Sequence, residues 1–421
     1  MRAVKTGLIV VLCATALLAA QNSRTIPRPP AQPANATPDG SAAPDGYAPI
    51  PAWLGQTRAP HPAHSESYAV DTVARGISGG FAFHFLPDGR IVVTERPGRL
   101  RLVSKNGTPS APLTGLPELW GRPPQGLFDA LPDRDFARNH ILYLTYTALP
   151  SGASAASAPR LAGVLTVARA RLSDDGTRLE DVKTILNAEG IGGRVIQAAD
   201  GTLLISSSIP AGVGINSVDW PQPQQLDSLM GKILRINPDG SVPKDNPFVG
   251  RAGARPEIFA LGIRDDQGLA LHPRTGVLWT SEHGPRGGDE INAIEKGRNY
   301  GFPDIGYGHE YTGKTIHEDR TSAPGMEQPV YFWTPDIAPG GIAFSTGRLI
   351  PGWRGNLFVC ALAGKHLARL VLAGNRVVAE ERLLTELDTR LRDVHEGPDG
   401  ALYVLTDGNE GTILRLGRPR K

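Results

Sequence analysis

The chain has 421 residues with 44 Lys+Arg against 42 Asp+Glu, a formal charge of +2. So neutral a protein has no broad basic field for a phosphate backbone, which excludes nucleic acid as the main partner. Fifty glycines and 37 prolines, about a fifth of the chain against roughly 12 % in ordinary globular composition, disfavour helical bundles and suit short strands joined by tight turns. The two cysteines, Cys13 and Cys360, exclude a disulfide scaffold or a multi-cysteine zinc site.

Residues 1–20 read as a signal peptide. Arg2 and Lys5 precede the apolar run GLIVVLCATALLAA, which ends in small residues and is short for a bilayer span. An uncleaved anchor is the competing reading. With cleavage, no membrane span remains, and the protein is expected in the periplasm or secreted. Residues 21–66 are rich in Pro, Ala and small polar residues without apolar periodicity, the composition of an extended or disordered linker.

From residue 67 a weak repeat begins. LPDG (86–89), AADG (198–201), HPRTG (272–276) and GPDG (397–400) each precede a short β-rich run, and FARNHILYLTYT (136–147) and GWRGNLFVCAL (352–362) are looser copies. Each is a strand-turn-strand signal. Six units over 67–421 give about 59 residues apiece, the size of a four-stranded propeller blade with its loops. The expected fold is all-β: a six-bladed β-propeller with four-stranded antiparallel blades. Such a fold is as often a binding scaffold as an enzyme.

The stretch 257–303 is the richest in chemistry. SEHGPRGGDE runs from a strand end through a Gly-Pro turn to Asp289 and Glu290; the turn can aim carbonyls at a hard cation, and a solvated acidic loop is the competing reading. Arg264 and Lys365 flank strands, and Arg390 and Arg392 stand two apart in TRLRD, on one face if the segment is extended. Paired guanidinium groups suit a planar polyanion; an exposed face bridged to Asp388 and Asp393 is the alternative. No HExxH, nucleophile elbow, P-loop or strand-borne GxGxxG occurs, and His283 is the histidine expected near a pocket.

The ordered motifs FLPDGRIVVTERPGRL (85–100), PQGLFDALPDRDFARN (124–139), GGRVIQAADGTL (192–203), LDSLMGKILRINPDG (226–240), GIRDDQGLALHP (262–273), SEHGPRGGDEINAIEKGRNYGFP (281–303) and VYFWTPDIAPGGIAF (330–344), with Lys365 and RLRD (390–393), resemble the soluble pyrroloquinoline quinone (PQQ)-dependent sugar dehydrogenases. The resemblance implies oxidation of aldoses to lactones, with PQQ and calcium as cofactors and an external electron acceptor. It assigns Arg264, Lys365, Arg390 and Arg392 to the PQQ carboxylates, with Asp265 and Tyr331 beside the cofactor. The carbonyls of Gly284 and Pro285 would hold a catalytic calcium, and Glu290 with the Tyr300 carbonyl a structural one. Gln125 and Asp289 would contact the sugar.

Departures from the pattern are specific. The base histidine expected before the Gly-Gly-Arg element is Gly190, and its supporting Asp has no counterpart in ISSSIP (205–210). The usual Asn after the cofactor Arg is Asp265, a Ser or Thr is Asp336, and a Ser is Gly340. Glu189 and His283 become the candidate bases. The alternative function is a catalytically degenerate propeller that binds a sugar, glycan or protein partner.

Overall fold

The computed structural model describes residues 24–26, 49–120, 126–149, 163–210, 217–312, 315–316 and 319–419. The expected signal segment and most of the expected linker lie outside the described residues. Six antiparallel sheets follow one another along the chain. After β1 (Arg24–Ile26) and β2 (Tyr68–Ile77), the first blade holds β3 (Gly80–Phe85), β4 (Ile91–Glu95) and β5 (Arg99–Val103). The second holds β6 (Leu127–Pro132), β7 (Ile141–Ala148), β8 (Val164–Leu172) and β9 (Leu179–Glu189). The third holds β10 (Val195–Gln197), β11 (Leu203–Ser207), β12 (Lys232–Ile236) and β13 (Ile258–Leu261). The fourth holds β14 (Asp266–Leu271), β15 (Leu278–Glu282), β16 (Asp289–Ile294) and β17 (Tyr331–Trp333). The fifth holds β18 (Pro339–Phe344), β19 (Leu357–Ala361), β20 (His366–Ala373) and β21 (Arg376–Leu383). The sixth holds β22 (Leu391–Glu396), β23 (Leu402–Thr406) and β24 (Gly411–Gly417), completed at its edge by β2, on which β1 pairs.

The first strand of every blade is innermost. Strands β3, β6, β10, β14, β18 and β22 touch in that order, and β22 closes on β3, so the sheets form a ring: a six-bladed β-propeller. Four blades have four strands, the first has three among the described residues, and the sixth gains β2 and β1. Because β2 comes from the beginning of the domain and β24 from its end, this pairing locks the ring without a covalent link.

Each repeat seen in the sequence is the hairpin between the first two strands of a blade. Gly89, Gly201, Gly276, Gly355 and Gly400 all have positive φ, between 71° and 89°, which glycine adopts without a Cβ penalty. The second blade lacks that glycine; His140 takes the left-handed position at φ 54°, after the single helical turn Phe136–Asn139. Burial follows the ring. Leu100, Leu127 and Leu142 fill the seam between blades one and two, and Leu165, Ile205 and Leu234 the next. Trp279, Tyr331 and Val359 fill that between four and five, and Phe358, Leu391 and Val404 that between five and six.

Residues 49–66, expected to belong to the linker, lie against blades four and five. Phe332 donates its N–H to the Gln56 carbonyl at 2.9 Å, Gln56 Nε2 donates to Pro329 O at 2.9 Å, and Glu380 N–H donates to Pro60 O at 3.0 Å. Gln56 and Ala59 are buried. Composition alone does not register such a strap, because backbone groups and a single glutamine side chain make these contacts.

Candidate active site

The residues of interest gather where the inner strands begin. Arg264, just before β14, is buried; its N–H donates to Glu282 Oε1 at 2.5 Å, and its Nη1 donates to the carbonyls of His283 and Gly284 at 2.7 and 3.0 Å. His283 follows β15. Its Nε2 lies 2.8 Å from Pro339 O, an acceptor only, so Nε2 carries the proton and Nδ1 keeps its lone pair, 3.7 Å from Asp265 Oδ2. Burial, then the positive charges of Arg392 and Arg264, hold His283 down at about 4 against the opposing pull of Asp265. The ring is therefore neutral at neutral pH.

From Asp265 the contacts continue across the ring. Gln267 Nε2 donates to Asp265 Oδ1 at 2.8 Å, and Arg392 Nη1 donates to Gln267 Oε1 at 3.3 Å. Arg392 and Arg390 share Asp407 at 3.6 and 2.9 Å, so the two do share a face. Arg392 is buried and its Nε finds no hydrogen-bond partner. Burial, and then Arg96, push it down to about 9. Arg96, Arg194 and Arg392 each place the guanidinium carbon 5.1 Å from the centroid of the Phe81 ring. Lys365 stands in the β19–β20 turn at the same end, half-exposed and bonded to Asp388 at 2.9 Å. The bridging acids foreseen for this face are thus only partly the ones used: Asp407 serves both arginines, and Asp393 turns inward to Arg194.

Four expected metal-binding residues meet at one place. A cavity of about 20 Å³ is lined by Gly284, Pro285, Glu290 and Tyr300 together with Glu282 and Arg264. That is room for about one water-sized occupant. Glu290 is raised to about 7 by burial. Among the described residues no group of three or more His, Cys, Asp or Glu has a ready-made metal-holding geometry, so any cation here would draw on main-chain carbonyls as well.

Several expectations are corrected. Tyr331 has no exposed surface; its hydroxyl donates to Glu380 Oε2 at 2.6 Å and accepts the Ala59 N–H at 2.9 Å, so it is a core residue under the strap and cannot touch a cofactor. Glu189, at the end of the outermost strand β9, directs Oε2 at the Leu229 N–H (2.7 Å) and the Ser228 hydroxyl (3.2 Å), clamping the third-blade loop instead of facing His283. Asp289 is 1 % exposed and accepts N–H groups from Gly284, Ile337 and Ala338 at 2.7–2.9 Å. It pins the Gly-Pro turn to the segment before β18, so it positions the site and has no surface for a sugar. Burial and the adjacent Asp336 raise Asp289 well above the carboxylate range. Gln125 lies outside the described residues.

Gly190, the position where the resemblance places the base, is closed to any side chain. At φ 103°, a Cβ there would sit 2.4 Å from Ser208 O, with Ser207 Oγ and Met230 Cγ next. Below the mouth, Arg194 forks onto Asp393 at 2.7 and 3.2 Å and approaches Asp129 at 3.9 Å. His84 bonds Asp129 at 2.7 Å, His395 bonds Asp393 at 3.2 Å, and the two rings lie 4.9 Å apart. This buried network ties four inner strands together. Sequence reasoning did not single it out, although Asp129, Arg194 and Asp393 all sit in the quoted motifs.

Residues 78–415 match the family described as Glucose / Sorbosone dehydrogenase. The aldose sugar dehydrogenase YliI of Escherichia coli K12 is 38 % identical over 356 residues, 82 % of this chain and 92 % of the relative. A crystal structure of a glucose dehydrogenase superposes with a TM-score of 0.76 at 39 % identity, covering 83 % of this chain and 99 % of the other. The PQQ-bound form of an aldose sugar dehydrogenase from Streptomyces coelicolor superposes with a TM-score of 0.64 at 25 % identity, covering 85 % and 99 %.

Proposed function

The chain belongs to the Glucose / Sorbosone dehydrogenase family, and we propose that it is an exported PQQ- and calcium-dependent enzyme, periplasmic or secreted, that oxidises the anomeric hydroxyl of aldoses to lactones and passes the electrons to an external acceptor. The observation that carries this reading is Arg392, a buried guanidinium with an unbonded Nε among Arg96, Arg194 and Arg390. Like charges held together in a buried site favour a multiply charged anion, and a PQQ-bound relative supports the identity of that anion. Arg264, Arg390, Arg392 and Lys365 would hold the carboxylates. PQQ supplies, when bound, an o-quinone that accepts hydride. A calcium on the Gly284 and Pro285 carbonyls would act as a Lewis acid beside it, and the Gly284 oxygen would have to exchange its bond from Arg264 for the ion.

With Gly190 closed and Glu189 engaged elsewhere, His283 is the remaining base. Its Nδ1 lone pair is free to accept the sugar hydroxyl proton, and Asp265 at 3.7 Å would stabilise the resulting imidazolium. The Asn-to-Asp departure at 265 thereby gains a purpose. Purified protein loaded with PQQ and calcium should reduce a dye in the presence of an aldose, and His283→Asn should lower kcat by about 10²–10⁴ while PQQ binding persists. Unchanged turnover in that variant would remove His283 from the mechanism.

A second reading, a degenerate propeller binding a sugar, glycan or protein partner, is favoured by the closed Gly190 position. Saturable PQQ binding without turnover on any aldose would select it.

A further inference from the structure

Of the cations gathered at the mouth, one stands without an acid or a carbonyl. Arg264 donates to two carbonyls, Lys365 bonds Asp388, Arg390 and Arg392 share Asp407, and Arg194 forks onto Asp393. Arg96 differs. It is partly buried, and among the described residues its guanidinium has no hydrogen bond and no ion pair; it lies over the Phe81 ring, 5.1 Å from the centroid. A phenyl ring offers no conventional acceptor, so the five N–H donors stay available. The acid beside it in sequence, Glu95, is buried and engaged by Arg99, Arg101 and the Ser78 N–H. Burial works against the Arg96 charge, and Asp407 and Asp265 offset that only in part. The main chain holds the residue fast: its N–H donates to Gly79 O at 2.8 Å, and its carbonyl accepts the Leu127 N–H at 3.2 Å. Leu127 is two residues past Gln125, which the resemblance assigns to the sugar. Arg96 is therefore tied to the segment expected beside the substrate, whereas Arg264, Lys365, Arg390 and Arg392 belong to blades four, five and six.

We propose that Arg96 selects acidic aldoses, binding the carboxylate of a hexuronic acid whose anomeric hydroxyl is the one oxidised. The proposal rests on the dehydrogenase reading and names its substrate class. With the cofactor's carboxylates taken up by the four other cations, a neutral sugar would leave Arg96 unpaired in a partly buried place. A carboxylate instead meets the guanidinium fork in two parallel charge-assisted bonds. Such a bond contributes roughly 1 kcal/mol more than a neutral one, which is about tenfold in affinity.

The test compares glucuronate with glucuronamide, which has nearly the same shape without the charge, on the full chain loaded with PQQ and calcium. Glucuronate should show a kcat/KM about tenfold higher, an advantage that shrinks as salt is added. Arg96→Gln should abolish most of that ratio, whereas a merely structural role would lower both sugars alike. Should that variant fail to fold, Arg96→Lys, which keeps the charge but loses the fork, is expected to reduce the ratio by itself. Affinities for the two sugars are read by calorimetry on the same samples. Absence of turnover on any aldose would refute the dehydrogenase reading, and the calorimetric ratio would still decide whether Arg96 selects the acid. Equal values for the two sugars in the wild type, or a ratio left unchanged by both substitutions, overturns the proposal.

Discussion

Placing a histidine at Gly190 should damage the protein without creating a base. The perturbation is Gly190→His, with Gly190→Ala as the control that carries the backbone strain alone. Glycine holds φ 103° there, and any Cβ meets Ser208 O at 2.4 Å. Forcing a side chain into that region costs about 1–3 kcal/mol. Moving Ser208 O also strains its bond from the Ile191 N–H, now 3.0 Å, a further cost of about 1 kcal/mol. The sum, roughly 2–4 kcal/mol, corresponds in a propeller of this size to a fall in Tm of roughly 3–5 °C. Calorimetric scans of both variants should show similar losses, and dye reduction with aldoses should not improve. A histidine variant with wild-type Tm and faster turnover would refute the argument, because it would mean that the loop opens readily and that the base position is only vacant.

Other substitutions probe the buried charges. Arg194→Met should destabilise by about 3–5 kcal/mol by leaving Asp393 and Asp129 with only the histidines His395 and His84 as partners; chemical denaturation measures it, and a loss under 1 kcal/mol would show that the network is not under charge control. Lys232 is fully buried with Nζ 2.6–3.0 Å from the carbonyls of Gln222, Pro223 and Met230; Lys232→Met should cost about 2–3 kcal/mol by orphaning them, read in the same assay. Burial raises Asp393, but Arg194 and His395 outweigh it and hold it well below the usual carboxylate range. A depressed carboxylate contributes stability that is fully present above its unfolded pKa and disappears as pH falls through its folded one, so Tm should drop on acidification below about pH 4, and less steeply in Asp393→Asn. Arg392→Met should weaken PQQ binding at least tenfold in a fluorescence titration with little loss of Tm, since Nε is unbonded already; unchanged affinity would detach this arginine from the cofactor.

The ring was legible in the sequence because its punctuation is local. Five hairpin glycines need positive φ, and a residue type that signals backbone conformation can be read without knowing what packs against it. His140 shows the same position filled without the glycine, where the β-rich run alone had to serve. Site residues were legible in proportion to how local their geometry is. Arg390 and Arg392 meet at Asp407 because they are two residues apart, and Gly284, Pro285, Glu290 and Tyr300 converge because one turn and the strand after it, β16, join them. Tyr331 and Glu189 failed for a different reason: what buries or diverts them is distant in sequence, Glu380 and the 49–66 strap for one, Ser228 and Leu229 for the other. Asp266 and Glu282 face one another only through strand register, and register is not written in any single strand.

The two functional readings also differ in what they require of stability. Arg392 buries an unbonded Nε, and Asp266 buries two unbonded oxygens. Each unsatisfied group costs about 1–3 kcal/mol, and more when charged, against a total stability of only about 5–15 kcal/mol. In a propeller that merely presented a surface, substituting either residue with an apolar side chain would remove an unsatisfied buried group without loss of function. The Arg392 guanidinium becomes favourable once an anion meets it. Measuring unfolding free energy with and without PQQ and calcium therefore separates the readings before any sugar is added: a scaffold should be indifferent to both, and a dehydrogenase should be stabilised by each.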